Sequence, residues 1–514
     1  MISGKNLVSG VWESFDGASQ FYSSDAQNQE PLPIAFEEAN KGQIDRALVG
    51  ASESFRSFRT TSFKRRADFL LAIKKELETH KEEILKYYQK ESALPQGRAE
   101  GEFKRTLDQL QSFVSLLNKG VFANISIHTQ GPDLRKMLFG IGPVVVFGAS
   151  NFPLAFSTVG GDTASAFAAG CPVIVKSHPY HAATSECVAQ CISNAIQNCQ
   201  LPPGIFSHLT GSSHEIGSQL VMHPLTKGVG FTGSFTGGKA LYDLAQKRLD
   251  PIPVFSEMGS INPIFILNDR LKSKTSVLAE EMIQSVLLGS GQFCTNPGLI
   301  VIHDPTEKSH FFTYLCDAIK ESKLGPMVHS NIEKHYLKRR GELKNMNLLE
   351  SFCQAENSEA AIGSVSASHF MSSPNLAEEV FGPFTLVVNC KTQEEMIGVA
   401  QSLQGQLTAT LLGSPSDLVY AKKLLEYLQL KAGRLLFEGV PTGVAVTQAM
   451  QHGGPFPATT DPRFTSVGVD SIYRWLQPLA FQDCPQELLP EALKNENPLG
   501  LLRTVDGELT TKVI

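Results

Sequence analysis

"GPVVVFGASN" occupies Gly142 to Asn151, and "CPVIVKS" follows at Cys171 to Ser177. Each is a short unbroken run of β-branched and aromatic residues closed by Gly, Pro or Ser, with the helix-like "LAFSTVGGDTASAFAAG" between them. The alternation continues through "AATSECVAQCISNAIQN", "GIFSHLTG", "EIGSQLVMH", "GVGFTGS", "GGKALYDLAQ" and "IPVFSE", ending at Glu257. Runs that are apolar throughout belong to strands buried on both faces, and strands separated by helices form βαβ units, so the chain is α/β with a parallel sheet. In such a sheet ligands gather at the carboxyl ends of the strands.

Upstream, "TSFKRRADFLLAIKKELETHKEEILKYYQK" places Phe69, Leu70, Ile73, Leu77 and Ile84 at helical spacing among charges, which predicts one amphipathic helix over 61–90. A second helix is predicted near 99–117, and "VFANISIHTQGPDLRKMLFGIGP" predicts a hairpin turning at Gly131-Pro132. Downstream a second α/β series begins with "NPIFIL", then a helix over about 272–288, "LIVIHD", a helix near 308–323, "FTLVVNC" and "LTATLLG". Cys294, in "GSGQFCTNP", falls between the first helix of that series and its next strand.

Of the 514 residues 42% are hydrophobic and 19% charged, enough apolar material for a large buried core in two to four domains. No run approaches the ~18 apolar residues of a membrane span, and the start has no hydrophobic targeting segment, so a cytoplasmic protein without a membrane partner is expected. The nine cysteines have no framework spacing, and reduced thiols are expected. With a net charge of −6 and scattered Lys and Arg, nothing marks a nucleic-acid surface, and small-molecule chemistry is favoured.

Several residues stand where chemistry belongs, and each has a plainer reading. In "FTGSFTGG", Gly233, Ser234 and Gly238 open a helix whose free N–H groups favour a phosphate, but an ordinary tight turn uses the same residues. Lys176, at the end of "PVIVK", can hold a ribose or phosphate or can reach solvent. Asn151 can donate to a developing oxyanion or serve as a turn residue. Glu257, closing an apolar run, is a candidate base whose pKa desolvation would raise; a strand end facing water is the alternative. A free cysteine is usually a buried hydrophobe, and only the glycine-rich setting of Cys294 separates it from the rest. Cys187 and Cys191, near His178 and His181, lack a second ligand pair at zinc spacing and read as one buried helix face; no metal site is expected.

Taken in order, Asn after "VVVFGAS", Lys after "PVIV", "FTGS…G", Glu before "MG", "GQFC" and "EEVFGPF" at Glu378 to Phe384 resemble the aldehyde dehydrogenase superfamily. Within it, "SEMGSINPIF", "GQFCTNPG" and "PTGVAV…QHGGPFPATT" are similar to the branch holding 2-oxoglutarate semialdehyde (2,5-dioxopentanoate) dehydrogenases and the NADP-dependent long-chain aldehyde dehydrogenase of luminous bacteria. The resemblance implies a Rossmann-type cofactor domain (1–125 and 146–256), a catalytic α/β domain (257–452), and a hairpin and tail (126–145 and 453–514) that build a homodimer or homotetramer. It implies that Cys294 is the nucleophile, Glu257 the general base, and Asn151 an oxyanion donor together with the backbone N–H of Cys294. It further implies that Lys176 holds the adenosine ribose, Gly233, Ser234 and Gly238 cover the pyrophosphate, and Glu379 and Phe381 contact the nicotinamide riboside. "MGSINP" and "HGGPFPATT" depart from the superfamily's usual "LGGKSP" and "PFGGxKxSG", as this branch does.

Pro179 stands where NAD-preferring members carry a carboxylate that repels a 2′-phosphate, so NADP is favoured with NAD open; His214 is a conceivable phosphate partner. The implied reaction is NAD(P)-dependent oxidation of an aldehyde to an acid, with 2-oxoglutarate semialdehyde first and a medium- or long-chain fatty aldehyde as the alternative. Arg105 and Arg463 are candidate partners for a substrate carboxylate, although each is also an ordinary surface arginine, and Phe152, Phe156 and Val444 provide apolar lining for either substrate. A catalytically silent homologue is the reading from another class, disfavoured by the intact Cys294, Glu257 and Asn151. A cofactor-free cysteine hydrolase would want a His beside Cys294, and the sequence shows none in a motif near it.

Overall fold

The computed structural model describes residues 2–307 and 309–514. The expected βαβ series is present as a seven-stranded sheet ordered Val254–Glu257, Gly228–Thr232, Val144–Phe147, Val173–Lys176, Phe206–Leu209, Asn6–Val8, Val11–Glu13. Its first five strands run parallel, Val144 standing opposite both Val173 and Gly228. The chain builds outward from Val144–Phe147 in one direction, then returns to its other side at Gly228–Thr232. The order therefore reverses between these two strands, and the crevice at their carboxyl ends is where such sheets bind ligands. Helices cover both faces, which is why the strand interiors are continuously apolar.

A second seven-stranded sheet, ordered Ser351–Gln354, Ala361–Ser366, Phe384–Cys390, Leu299–His303, Ile264–Ile266, Gln406–Leu412, Ala432–Leu436, is parallel except for Ser351–Gln354. The predicted hairpin forms as Ser126–His128 and Leu134–Gly140, and the tail strand Leu476–Gln482 pairs along the whole of the second arm in a five-stranded sheet. Among the described residues no helix is long and apolar enough to cross a membrane.

Three expectations are corrected. The helix over 61–90 is two, Phe63–Thr79 and Lys81–Ser92, because His80 leaves helical geometry (φ −104°, ψ 17°). Its ring Nδ1 instead lies 2.8 Å from the Glu76 carbonyl oxygen. The thiols are not all reduced: Cys316, on the helix Phe311–Lys320, is bonded to Cys353 on the edge strand Ser351–Gln354, their Cα atoms 6.0 Å apart. No spacing rule announces this pair, because it depends on that helix packing against that strand. The helix expected near 308–323 runs Phe311–Lys320, and residue 308 lies outside the described residues. Cys187 and Cys191 do share one buried face of the helix Ala182–Asn198.

Trp475 ties the tail to the first sheet. It is fully buried, donates from Nε1 to Ser165 Oγ at 2.8 Å, and packs edge-on against Phe255 at 5.2 Å. Replacing it with Ala leaves a cavity that rigid strands on one side cannot close. Trp475→Ala is expected to cost about 3–5 kcal/mol, read as a lower denaturant midpoint, and a cost under about 1 kcal/mol would contradict this packing account.

Candidate active site

Three loops, far apart in sequence, meet between the two large sheets. The first leaves the strand Val144–Phe147 and carries Asn151, whose Nδ2 donates to the carbonyl of Gln292 at 2.8 Å. A buried carboxylate holds this loop: Glu102, fully inaccessible, accepts from the backbone N–H groups of Leu154 and Ala155, both at 2.9 Å, and from the Tyr88 hydroxyl at 2.7 Å.

The second loop follows the helix Asn268–Leu287 and carries Cys294. It turns through left-handed conformations at Gly289, Ser290 and Gly291. At Gly291 (φ +70°) a Cβ would lie 2.2 Å from the Gly382 carbonyl carbon, so only glycine lets the two backbones meet. Asn262, buried with φ +44°, donates to the carbonyls of Cys294 and Asn296 at 2.8 and 2.9 Å. The carbonyl of Cys294 is thus engaged, while among the described residues its N–H has no acceptor and stays available to an incoming oxygen.

The third loop lies between the strand Ala432–Leu436 and the tail and carries His452. Its Nε2 lies 3.5 Å from Cys294 Sγ and 3.0 Å from Glu257 Oε1, and both His452 and Glu257 are almost wholly buried. The other oxygen of Glu257 accepts a short hydrogen bond from Ser466, whose hydroxyl also reaches the His452 carbonyl at 3.2 Å. Cys294, Glu257 and His452 therefore form one cluster, their polar atoms within 4.8 Å of one another. His452 corrects the expectation that no histidine stands beside Cys294. The "QHGG" motif is 158 residues further along, and nothing in the sequence measures that approach.

The charges in this cluster oppose one another. Burial and the neighbouring Glu257 carboxylate push the Cys294 thiol well above its usual pKa. Burial also pushes Glu257 upward, yet the charge and hydrogen bond of His452 and the hydrogen bonds of Ser466 and Cys294 outweigh it and leave Glu257 below the usual carboxylate value. The expected rise is thus reversed, because an apolar strand end predicts the desolvation but not the partners. The carboxylate is charged and the thiol protonated at neutral pH, so the proton must be removed as the sulfur reacts.

The cofactor candidates lie on the first sheet. Ser234 caps the helix Phe235–Gln246 by accepting from Gly237 N–H at 3.2 Å, and the exposed N–H groups of Phe235 and Thr236 have no acceptor among the described residues. A Cβ on Gly233 would meet the Phe231 ring at 2.7 Å, which keeps the turn open at the sheet's switch point. Gly238 is different: its missing Cβ faces Met258 and Ser256 at 2.7 and 3.1 Å, so it lets helix and strand pack. Lys176 ends its strand with Nζ on the Gly211 carbonyl at 2.5 Å, and burial lowers its pKa to about 8 although Glu38 nearby opposes the fall. Glu379 lies over Gly259, its Oε2 2.5 Å from where a Cβ would sit, and burial raises its pKa to about 7. Phe381 is half-buried two residues on. Bare helical N–H groups, a cation and a carboxyl along one crevice fit a dinucleotide diphosphate and its riboses.

The candidate carboxylate partners separate. Arg463 is exposed and already paired with Asp461, at 2.8 and 2.5 Å, which removes it. Arg105 is half-buried and lies over the Phe156 ring, 5.4 Å from its centroid. Phe152 packs edge-on against Phe156 and Phe293 at 5.2 and 5.4 Å, forming an aromatic wall beside the cysteine. Val444 is exposed.

A model of the aldehyde dehydrogenase family matches residues 16–455. Alpha-ketoglutaric semialdehyde dehydrogenase 2 of Azospirillum brasilense is 41% identical, covering 99% of this chain and 98% of that protein. Alpha-ketoglutaric semialdehyde dehydrogenase of Acinetobacter baylyi is 40% identical, covering 99% of each. Among solved structures, a mutant of Thermus thermophilus 1-pyrroline-5-carboxylate dehydrogenase superposes with a TM-score of 0.80 at 20% identity over 93% of this chain and 92% of its own. Betaine aldehyde dehydrogenase from Staphylococcus aureus in complex with NAD+ gives 0.79 at 17% identity over 93% and 95%.

Removing the Glu257 charge should free the thiol to ionise. In Glu257→Gln the pH midpoint for iodoacetamide alkylation of Cys294 should move down, with alkylation at pH 8 about 3–10-fold faster than in the wild type. A midpoint that is unchanged or higher would contradict the electrostatic account.

Proposed function

The chain belongs to the aldehyde dehydrogenase family, and on that premise we propose that it oxidises 2-oxoglutarate semialdehyde to 2-oxoglutarate through a thioester on Cys294. The observation that carries the chemistry is the meeting of Cys294, His452 and Glu257 beside Asn151 and a free backbone N–H. The substrate rests on two relatives, about 40% identical from end to end, that carry that name.

In this reading Glu257 takes the thiol proton as sulfur adds to the aldehyde carbon, since neither burial nor charge lets the thiolate form beforehand, and passes it to solvent before the thioester is hydrolysed. The alkoxide oxygen accepts from the Cys294 N–H and from the second amide hydrogen of Asn151, both fixed before the charge develops. When bound, a nicotinamide dinucleotide would supply the two-electron oxidant for this adduct, accepting the hydrogen of the former aldehyde carbon as hydride to leave a thioester. Glu257 Oε1 then accepts a proton from the water that attacks the thioester carbon, and Cys294 leaves as thiolate. Ser466, holding Oε2, keeps Oε1 turned toward the cysteine. His452 also favours a second reading, cofactor-free hydrolysis by a Cys–His pair, which the test below separates.

For the dinucleotide, Lys176 would take a ribose hydroxyl, Gly233 and Ser234 would admit the diphosphate to the helical N–H groups of Phe235 and Thr236, and Glu379 with Phe381 would bound the nicotinamide end. NADP is favoured because Pro179 puts no carboxylate beside the ribose, while Glu38 near Lys176 keeps NAD in play. The hairpin and the tail strand Leu476–Gln482 would join copies of the chain into a homodimer or homotetramer.

Steady-state rates decide this reading. 2-Oxoglutarate semialdehyde should have the highest kcat/KM among itself, succinate semialdehyde and a long-chain aldehyde, with NADP at least as effective as NAD. Cys294→Ala should abolish oxidation while leaving dinucleotide binding intact. A preference of about 100-fold for the fatty aldehyde, roughly 2.7 kcal/mol in transition-state binding, would overturn the substrate. Oxidation retained in Cys294→Ala, or the absence of dinucleotide binding in the wild type, would overturn the mechanism.

A further inference from the structure

Arg105 and Arg98 stand two turns apart on one face of the helix Gln96–Lys119, and both turn toward the aromatic wall beside Cys294. Arg98 is compensated. Its guanidinium stacks over Phe152 and Phe293, 4.5 and 4.9 Å from their centroids, and lies 3.5 Å from the buried carboxylate of Glu102. Arg105 is not. Its Nε is buried without an acceptor, and among the described residues the side chain makes no hydrogen bond and no ion pair. Its guanidinium lies over the face of Phe156, the ring that also packs near His452, 6.3 Å away.

Such an arrangement costs stability. A half-buried guanidinium normally finds a carboxylate or several carbonyls, as Arg434 does by donating to Pro441 and Gly443 at 2.6 and 3.3 Å. Burial lowers the pKa of Arg105, and the carboxylates of Glu102 and Glu257 oppose that fall, which marks where its side chain faces. Glu102 cannot serve as its partner, since its oxygens are spent on two backbone N–H groups, Tyr88 and Arg98. An unpaired planar fork of donors at the edge of an apolar wall, beside the nucleophile, has the form of a receptor for an anion that arrives with the substrate.

We propose that Arg105 binds the distal carboxylate of the aldehyde substrate, selecting short acidic semialdehydes over neutral aldehydes, with Arg98 as the second positive charge behind the Phe152–Phe293 pair. This rests on the reading of the chain as a semialdehyde dehydrogenase. In 2-oxoglutarate semialdehyde three carbons separate the carboxylate from the aldehyde, and its 2-oxo oxygen lies beside a carboxylate oxygen. A guanidinium can take both oxygens in one plane, while Phe152 and Phe156 cover the methylenes. A fatty aldehyde would instead leave the cation unpaired against its chain, an effect that rejects the wrong substrate as firmly as the ion pair retains the right one.

The test measures kcat/KM for 2-oxoglutarate semialdehyde and for pentanal, in the wild type, Arg105→Met and Arg105→Lys, with saturating dinucleotide. The wild type should prefer the acid. In Arg105→Met the acid-to-pentanal ratio should fall by about 100-fold, mainly through KM for the acid, and Arg105→Lys should recover part of it. An unchanged Ki for glutarate, as a competitive inhibitor of pentanal oxidation, in Arg105→Lys, or an acid-to-pentanal ratio within about 3-fold of wild type in Arg105→Met, would overturn the assignment of Arg105 alone. A wild type that prefers pentanal would overturn the substrate reading beneath it. Arg105→Lys, which keeps the charge and most of the stem packing, decides the matter even where Arg105→Met does not fold.

Discussion

A buried carboxylate that stays charged beside a buried thiol that stays neutral is the constraint around which this site is arranged. Glu257 and Cys294 lie in the same dry space, where burial alone would neutralise both. His452 and Ser466 shift that balance toward the carboxylate, and the carboxylate in turn holds the proton on sulfur. The resting site therefore stores a base and an unspent nucleophile side by side. On the proposed chemistry the thiol is used once, when the aldehyde arrives, and the base twice, to take the thiol proton and then the proton of the water that hydrolyses the thioester.

Holding that pair in register requires backbone from both large sheets. Glu102 binds the N–H groups of Leu154 and Ala155 and so fixes the loop of Asn151, while Asn262 binds the carbonyls on either side of Thr295 and fixes the loop of Cys294. The link from Asn151 to Gln292 closes the two loops on each other. Glu102 and Asn262 set this geometry without touching substrate, while Asn151 also faces the developing oxyanion in the proposed chemistry. Gly291 contributes by having no side chain, which lets its loop rest on Gly382.

Much of this was legible in the sequence because periodicity and strand-end position are local properties. The apolar runs around Val144, Val173, Phe206, Val229 and Val254 are the parallel strands expected of them, and the family and its reaction class follow from six short motifs in order. What the sequence did not disclose depends on distance through space. His452 reaches Cys294 across 158 residues, Cys316 meets Cys353 only because a helix lies on an edge strand, and the pKa of Glu257 falls because of partners from the tail. The break at His80 is a subtler miss: the hydrophobic spacing runs on through it, and a single residue's dihedrals end the helix. Arg105 and Arg463 look equivalent in the sequence, but Asp461 occupies Arg463 and, among the described residues, no acceptor occupies Arg105.

The covalent state of Cys294 during turnover tests the account most directly. Mass spectrometry of acid-quenched enzyme, followed by peptide mapping, should find on Cys294 the mass of the aldehyde less two hydrogens, the signature of a thioester, and more of it in Glu257→Gln, where hydrolysis lacks its base. An adduct on another cysteine, or turnover with Cys294 unmodified in both proteins, would contradict it.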